Sequence, residues 1–188
     1  MKRQMSVLSV LWLFMVLAAV PAAAQMPKID AEQRHVLLAA SATATLQKEL
    51  EYVISMGFRV VMGASRGNSE LLLLLERSMS PAERYQYRLL ATTDTVTFQK
   101  EISQAAAQGF RAVPQTFIAK PHVMSAPEIV VVMERPASPA KRYEYQLLAT
   151  TLTSSLEKEW TIASTRGYVA IGMLTRTEVM LLMEREVK

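Results

Sequence analysis

The chain has no cysteine. That absence excludes disulfides, thiolate metal sites and a lipoprotein, which needs a cysteine at its cleavage point. Histidine is nearly as scarce. His35 and His122 are the only two, and neither has a Cys, Asp or second His at ligand spacing, so a zinc site with its three or four convergent ligands is not expected. Charge of one sign is missing as well. Lys2 and Arg3 are the only charges in the first 24 residues, and the 19 basic and 17 acidic side chains that remain leave +2. A chain this close to neutral has no clustered Lys/Arg stripe for a phosphate backbone, so no nucleic-acid partner is expected. It has no thiol nucleophile, and its Gly-x-Ser-x-Gly match, Gly63-Ala64-Ser65-Arg66-Gly67, lies between two expected strands and not at the strand-to-helix turn that a nucleophile elbow needs. The glycine-bearing stretch 63–68 lies between two expected strands and opens no helix, so it reads as a hairpin turn rather than a phosphate loop. No catalytic residue, metal ligand or cofactor site is expected from these patterns.

What is present begins with an export signal. Lys2 and Arg3 precede an apolar run over residues 7–20, then Pro21 and the small residues Ala22, Ala23 and Ala24. This is the build of a cleavable signal peptide, residues 1–24, with the cut before Gln25. It predicts an exported protein, periplasmic or secreted. Beyond residue 24 no apolar run is long enough to span a bilayer as a helix, so no transmembrane span is expected after cleavage.

The main signal is internal similarity, which a repeat architecture would leave. Ser80-Pro81-Ala82-Glu83-Arg84-Tyr85-Gln86-Tyr87-Arg88-Leu89-Leu90-Ala91-Thr92-Thr93 returns, with few changes, from Ser138 to Thr151. The match runs on through Lys100-Glu101 and Lys158-Glu159, Gly109-Phe110 and Gly167-Tyr168, and Met133-Glu134-Arg135 and Met183-Glu184-Arg185. A fainter first copy carries Lys48-Glu49, Gly57-Phe58 and Leu75-Glu76-Arg77, with His35 in the place of Tyr87 and Tyr145. The Lys-Glu pairs read as a solvated helix flank. The Glu-Arg endings read as structural ion pairs, expected to meet Arg84 or Arg142 across copies.

Each copy shows the same succession of periods. Tyr85, Tyr87, Leu89 and Ala91 alternate as a strand does. Leu46, Leu50 and Val53, then Phe98, Ile102 and Ala105, then Leu156, Trp160 and Ala163 mark one apolar face of a helix. Gly57, Gly109 and Gly167 stand where a helix ends with φ > 0. Two strands follow, at 58–62, 110–113 and 168–173, then at 71–75, 129–133 and 179–183. The last of each set is apolar almost throughout, so it is expected in mid-sheet, covered on both faces. The reading is α+β: three tandem βαββ repeats, each a three-stranded antiparallel sheet of order 1-3-2 with one helix on one face. Residues 25–33 form a flexible lead-in, 34–78 the first repeat, 79–136 the second and 137–188 the third. The second repeat contains a long loop, 114–127, with three prolines.

The Tyr-x-Tyr-x-Leu-Leu strand, the amphipathic helix, the Gly-aromatic step and the apolar strand ending in Glu-Arg resemble a family of small bacterial domains of unknown function. Those open on a Tyr-Glu-Tyr-Lys-Val-Val type of strand and carry a Gly-Trp-Glu-Leu-Val type of element after the helix. Here Phe58, Phe110 and Tyr168 stand in place of the tryptophan. The resemblance implies a fold but no activity, cofactor or catalytic residue.

The function expected is an exported, non-enzymatic binding or structural module, with another envelope protein or a small ligand as partner. Loops are where repeat proteins add function, and the contact loop is placed at Phe117, Ile118, His122, Val123 and Met124. Two alternatives stand beside it: a small-ligand carrier with its pocket between repeats over the tyrosine strands, and an enzyme whose residues converge only in three dimensions.

Overall fold

A computed structural model describes residues 26–67, 69–79, 84–122, 125–137 and 141–187. The expected signal peptide and its cut before Gln25 lie outside the described residues, as do Val123 and Met124. The fold is α+β, with three antiparallel sheets and three α-helices among the described residues. No helix among the described residues is long and apolar enough to cross a membrane.

The first layer is β1 (His35–Ala40), α1 (Thr43–Ser55), β2 (Phe58–Arg66) and β3 (Glu70–Arg77), with sheet order β1-β3-β2. The second is β4 (Tyr85–Thr92), α2 (Thr95–Ala107), β5 (Arg111–Ala112), β6 (Ile118–Lys120) and β7 (Glu128–Pro136). There β7 pairs with β4 on one side and with β5 and then β6 on the other. The third is β8 (Arg142–Thr150), α3 (Thr153–Thr165), β9 (Val169–Thr175) and β10 (Val179–Val187), ordered β8-β10-β9.

Each helix is terminated in the same way. Gly57, Gly109 and Gly167 adopt φ of 87°, 86° and 85°, a region open to glycine at little cost. The final arginine of each layer closes that end. Arg77, Arg135 and Arg185 donate to the carbonyls of Met56, Gln108 and Arg166 at the three C-caps. Each guanidinium also covers the aromatic ring after the glycine, at 4.4 Å over Phe58, 4.7 Å over Phe110 and 4.6 Å over Tyr168. A cation at a helix C-terminus is favoured by the macrodipole, and one over an aromatic face by the ring quadrupole.

The core is shared between layers. Leu46, Leu50 and Val53 of α1 pack on Leu71, Leu73 and Leu75 of β3, and in the same cluster on Val130 and Val132 of β7. Phe98 and Ile102 of α2 pack on Ile129, Val131 and Met133, and also on Tyr145, Met180 and Leu182 of the third sheet. Each of these helices therefore lies between two sheets, and β7 and β10 are buried on both faces, as their continuous apolar runs require. The first sheet differs. One face carries α1, while Leu37, Met62, Leu72 and Leu74 line an opposite face with Leu37 62% exposed.

Part of the stretch 114–127, expected as one long loop, has regular structure. Pro114–Thr116 form a 3₁₀ turn and β6 extends the second sheet. The three prolines sit at the start of the turn and outside β6, where a missing N–H costs nothing. Thr116 Oγ1 accepts from the Val132 amide at 2.8 Å, pinning the turn onto β7.

Candidate functional site

Phe117, expected on an exposed contact loop, is buried in the core. Its ring packs 6.0 Å from that of Phe98, and a Cβ on Gly172 of β9 would come within 2.9 Å of it. Ile118 is partly buried against the first layer's cluster. His122 is exposed. Of the five, Phe117 fills the space between layers, Ile118 is partly covered and His122 is exposed, while Val123 and Met124 lie outside the described residues.

The functional geometry lies instead at the two junctions between layers, and it is built from corresponding residues. Arg59, at the start of β2, places its guanidinium against Glu134 at 2.6 Å. Tyr87 donates its hydroxyl to the same carboxylate at 3.0 Å and accepts from the Val60 amide at 3.4 Å. At the second junction Arg111 meets Glu184 at 2.8 Å, Tyr145 donates to Glu184 at 2.7 Å, and the Ala112 amide donates to Tyr145 at 2.8 Å. The arginines also cover a second ring, at 4.4 Å over Tyr85 and 4.3 Å over Tyr143. Burial foremost, with the adjacent carboxylate adding to it, pushes both the Tyr87 and the Tyr145 phenols well above their ordinary value. The hydrogen bonds to Glu134 and Glu184 hold Arg59 and Arg111 charged. These groups fasten one layer to the next.

A glutamine completes each junction. Gln47 of α1 donates to the Tyr87 carbonyl at 3.2 Å and accepts from the Leu89 amide at 2.9 Å. Gln99 of α2 does the same to Tyr145 and Leu147, at 2.9 and 2.7 Å. β4 and β8 are edge strands, and a primary amide is the group that satisfies an edge N–H and an edge C=O together. A cation adds a third fastening. Lys120 donates to the Ser41 carbonyl at 2.9 Å and pairs with Glu128 at 3.0 Å. Arg176 donates to the Thr93 carbonyl at 2.7 Å and pairs with Glu178 at 3.0 Å.

Beside each fastening lies a groove between a helix C-terminal half and the first strand of the next layer. The first encloses about 980 Å³, with Ile54, Arg84, Tyr85 and Phe110 on its walls. The second encloses about 470 Å³, with Ala106, Arg142, Tyr143 and Tyr168 in the corresponding places. In the first, Arg88 lies 5.0 Å over the Phe110 ring, while Glu51 is the one carboxylate on the wall among the described residues and accepts from Gln47 at 2.7 Å. In the first groove Ile54 and Phe110 beside Arg84 and Arg88 suit a ligand with an apolar body and one anionic group, whereas the second also carries Glu144 on its wall, paired with Arg185.

No cluster of three or more metal-ligating side chains occurs among the described residues. Sequence reasoning placed a pocket over the tyrosine strands but missed Arg59, Arg111, Gln47 and Gln99. The only signal for them was that Phe58-Arg59 and Phe110-Arg111, and Gln47-Lys48 and Gln99-Lys100, recur as pairs. Comparison of the chain with protein-family models, with curated proteins and with solved structures finds no match.

Proposed function

We propose that this chain is an exported, non-enzymatic binding module made of three stacked copies of one βαββ unit, with the grooves between copies as its ligand-contact surface. The observation that carries the reading is the doubled groove: two junctions, the same positions, tyrosine on the strand and arginine at the rim. The residues of greatest electrostatic interest, Tyr87 and Tyr145, are committed to holding layers together, which supports a binding role over a catalytic one. Export rests on Lys2, Arg3, the apolar run 7–20 and the alanines before Gln25. The likeness to small bacterial domains of unknown function extends to each of the three copies.

The larger groove takes a small amphipathic anion: an apolar chain or ring against Ile54 and Phe110, and its charge toward Arg84. Titration calorimetry of the mature chain with dodecanoate tests this. Ile54→Glu and Arg84→Glu are each expected to weaken binding ~10-fold or more, the scale of one charged hydrogen bond or one buried apolar contact, while Leu37→Asp on the first sheet changes nothing. Binding that survives both groove variants, or no binding at all, refutes the proposal.

A further inference from the structure

Both ends of the stack are half-junctions. At one end the outer face of the first sheet carries Leu37, Leu72, Leu74 and Met62, while the matching faces of the second and third sheets are covered by α1 and α2. At the other end the side of α3 turned away from the third sheet and the exposed positions of β9 meet no further sheet among the described residues. Leu50 and Ile102 are 0% exposed between two sheets, whereas Trp160, at the same turn of α3, is 47% exposed. Val169 and Met173 of β9 are 64% and 67% exposed. Terminal units of a stack ordinarily carry a polar outer face; these do not.

We infer that the first-sheet face binds the α3–β9 end of a second copy of this chain, head to tail, repeating the internal junction between molecules. The inference rests on the three-copy reading. What selects a second copy over other occupants is that the two ends depart from the internal junction in matching ways. Where Arg59 and Arg111 stand, β9 has Val169; where Tyr87 and Tyr145 stand, the first sheet has His35. His35 lies 3.8 Å from Glu76, the counterpart of Glu134 and Glu184, so Glu76 has a polar neighbour on its own sheet in place of the arginine that β9 lacks. Where Gln47 and Gln99 stand, α3 has Glu157, which can accept a hydrogen bond but not donate one. The first sheet answers this too. Gln33 donates to the His35 carbonyl at 2.8 Å, taking the bond that a glutamine from a preceding helix would make. Only an acceptor for the Leu37 edge amide is then required, and Glu157 supplies it. The third fastening is in place as well: Arg66, paired with Glu70 and 70% exposed in its side chain, occupies the position of Lys120 and Arg176. Its target is the Thr151 carbonyl, one residue beyond β8 as Ser41 and Thr93 are beyond β1 and β4.

Such a contact is heterologous, so it grows into open chains unless the rotation closes a ring. Sedimentation velocity of the mature chain over a concentration series is expected to show growth beyond a dimer. Leu37→Asp blocks one end and Met173→Asp the other; both sites are exposed, so circular dichroism and melting of each variant should match the parent. Each variant alone is expected to be monomeric, with association weakened ~30-fold or more, as for a central interface residue. Mixing the two restores one intact pair of ends and gives a 1:1 dimer that grows no further. A chain that stays monomeric at millimolar concentration overturns the inference, as does assembly untouched by either variant, or a dimer of Met173→Asp with itself. None of these outcomes affects dodecanoate binding in the grooves, so failure here and failure of the proposed function are told apart.

Discussion

Replacing Tyr145 by phenylalanine probes the junction where the accounting is clearest. The ring stays and the cavity does not change, so only the hydroxyl is lost. Two bonds go with it. The Ala112 amide, which donates to that hydroxyl at 2.8 Å, is left buried without an acceptor, at about 1–3 kcal/mol. Glu184 loses the bond at 2.7 Å but keeps Arg111, so this part is the smaller, about 1 kcal/mol. The expected loss is about 2–4 kcal/mol, read from urea unfolding with an unchanged m-value. Tyr87→Phe is the internal control. Its amide contact is long, at 3.4 Å, and its bond to Glu134 is 3.0 Å, so about 1–2 kcal/mol is expected. The ordering follows from geometry alone, and Tyr145→Phe costing no more than Tyr87→Phe would refute it. A pH arm sharpens the test. Both phenols titrate higher folded than unfolded, so the stability they contribute is fully present below the ordinary value of 10.0 and is lost as pH rises through the raised folded values. The parent should lose stability above about pH 10 more steeply than either variant. Equal slopes would mean that the hydroxyls are not held as described.

Gln99→Glu converts the second junction's edge clamp into the form found at Glu157: the donor to the Tyr145 carbonyl disappears and a carboxylate faces that oxygen. A destabilisation of about 1–3 kcal/mol is expected in the same urea assay, and a neutral result would remove the argument that the edge carbonyl needs a donor there. Gly172→Ala places a Cβ 2.9 Å from the Phe117 ring, which is itself buried between layers. Overpacking of about 1–3 kcal/mol is expected, relieved in the double variant Gly172→Ala with Phe117→Leu; failure of the second change to restore any stability would place the strain elsewhere.

Much of the local architecture was legible because it depends on near neighbours in sequence. Leu46, Leu50 and Val53 announce a helix face by spacing, and Gly57, Gly109 and Gly167 announce its end by the one conformation that glycine accepts readily. The expected sheet order followed from a run, Ile129 through Met133, with no polar position to face water. The ion pairs were placed across layers but with the wrong partners. Glu134 and Glu184 pair with Arg59 and Arg111, not with Arg84 or Arg142, which lie at groove rims. Alternation tells which face a side chain takes, and says nothing of what stands opposite. Phe117 failed for a related reason: three prolines around it advertise irregular backbone, and irregular backbone was equated with exposure, although Thr116 and β7 satisfy the polar groups that would otherwise keep it in water.

Trp160 shows most plainly where a period stops being informative. It falls in the same heptad-like spacing as Leu50 and Ile102, and by that spacing alone it belongs to a core. Its neighbours Leu156 and Ala163 do contact the third sheet, Ala163 buried and Leu156 in part. Yet Leu50 and Ile102 are covered by the sheet of the following layer as well as by their own, and after Val187 there is no following layer among the described residues. Burial at this position is a property of a junction rather than of a helix, so the apolar spacing of α3 encodes an interface whose second half is absent among the described residues. An apolar face kept this way has a thermodynamic consequence: at roughly 25 cal/mol for each Å², covering the exposed surfaces of Trp160, Val169 and Met173 rewards whichever surface presents a complementary sheet. The first sheet of another copy presents Leu37, Leu74 and Met62 in one cross-strand row, the same arrangement that α1 and α2 already meet inside the molecule.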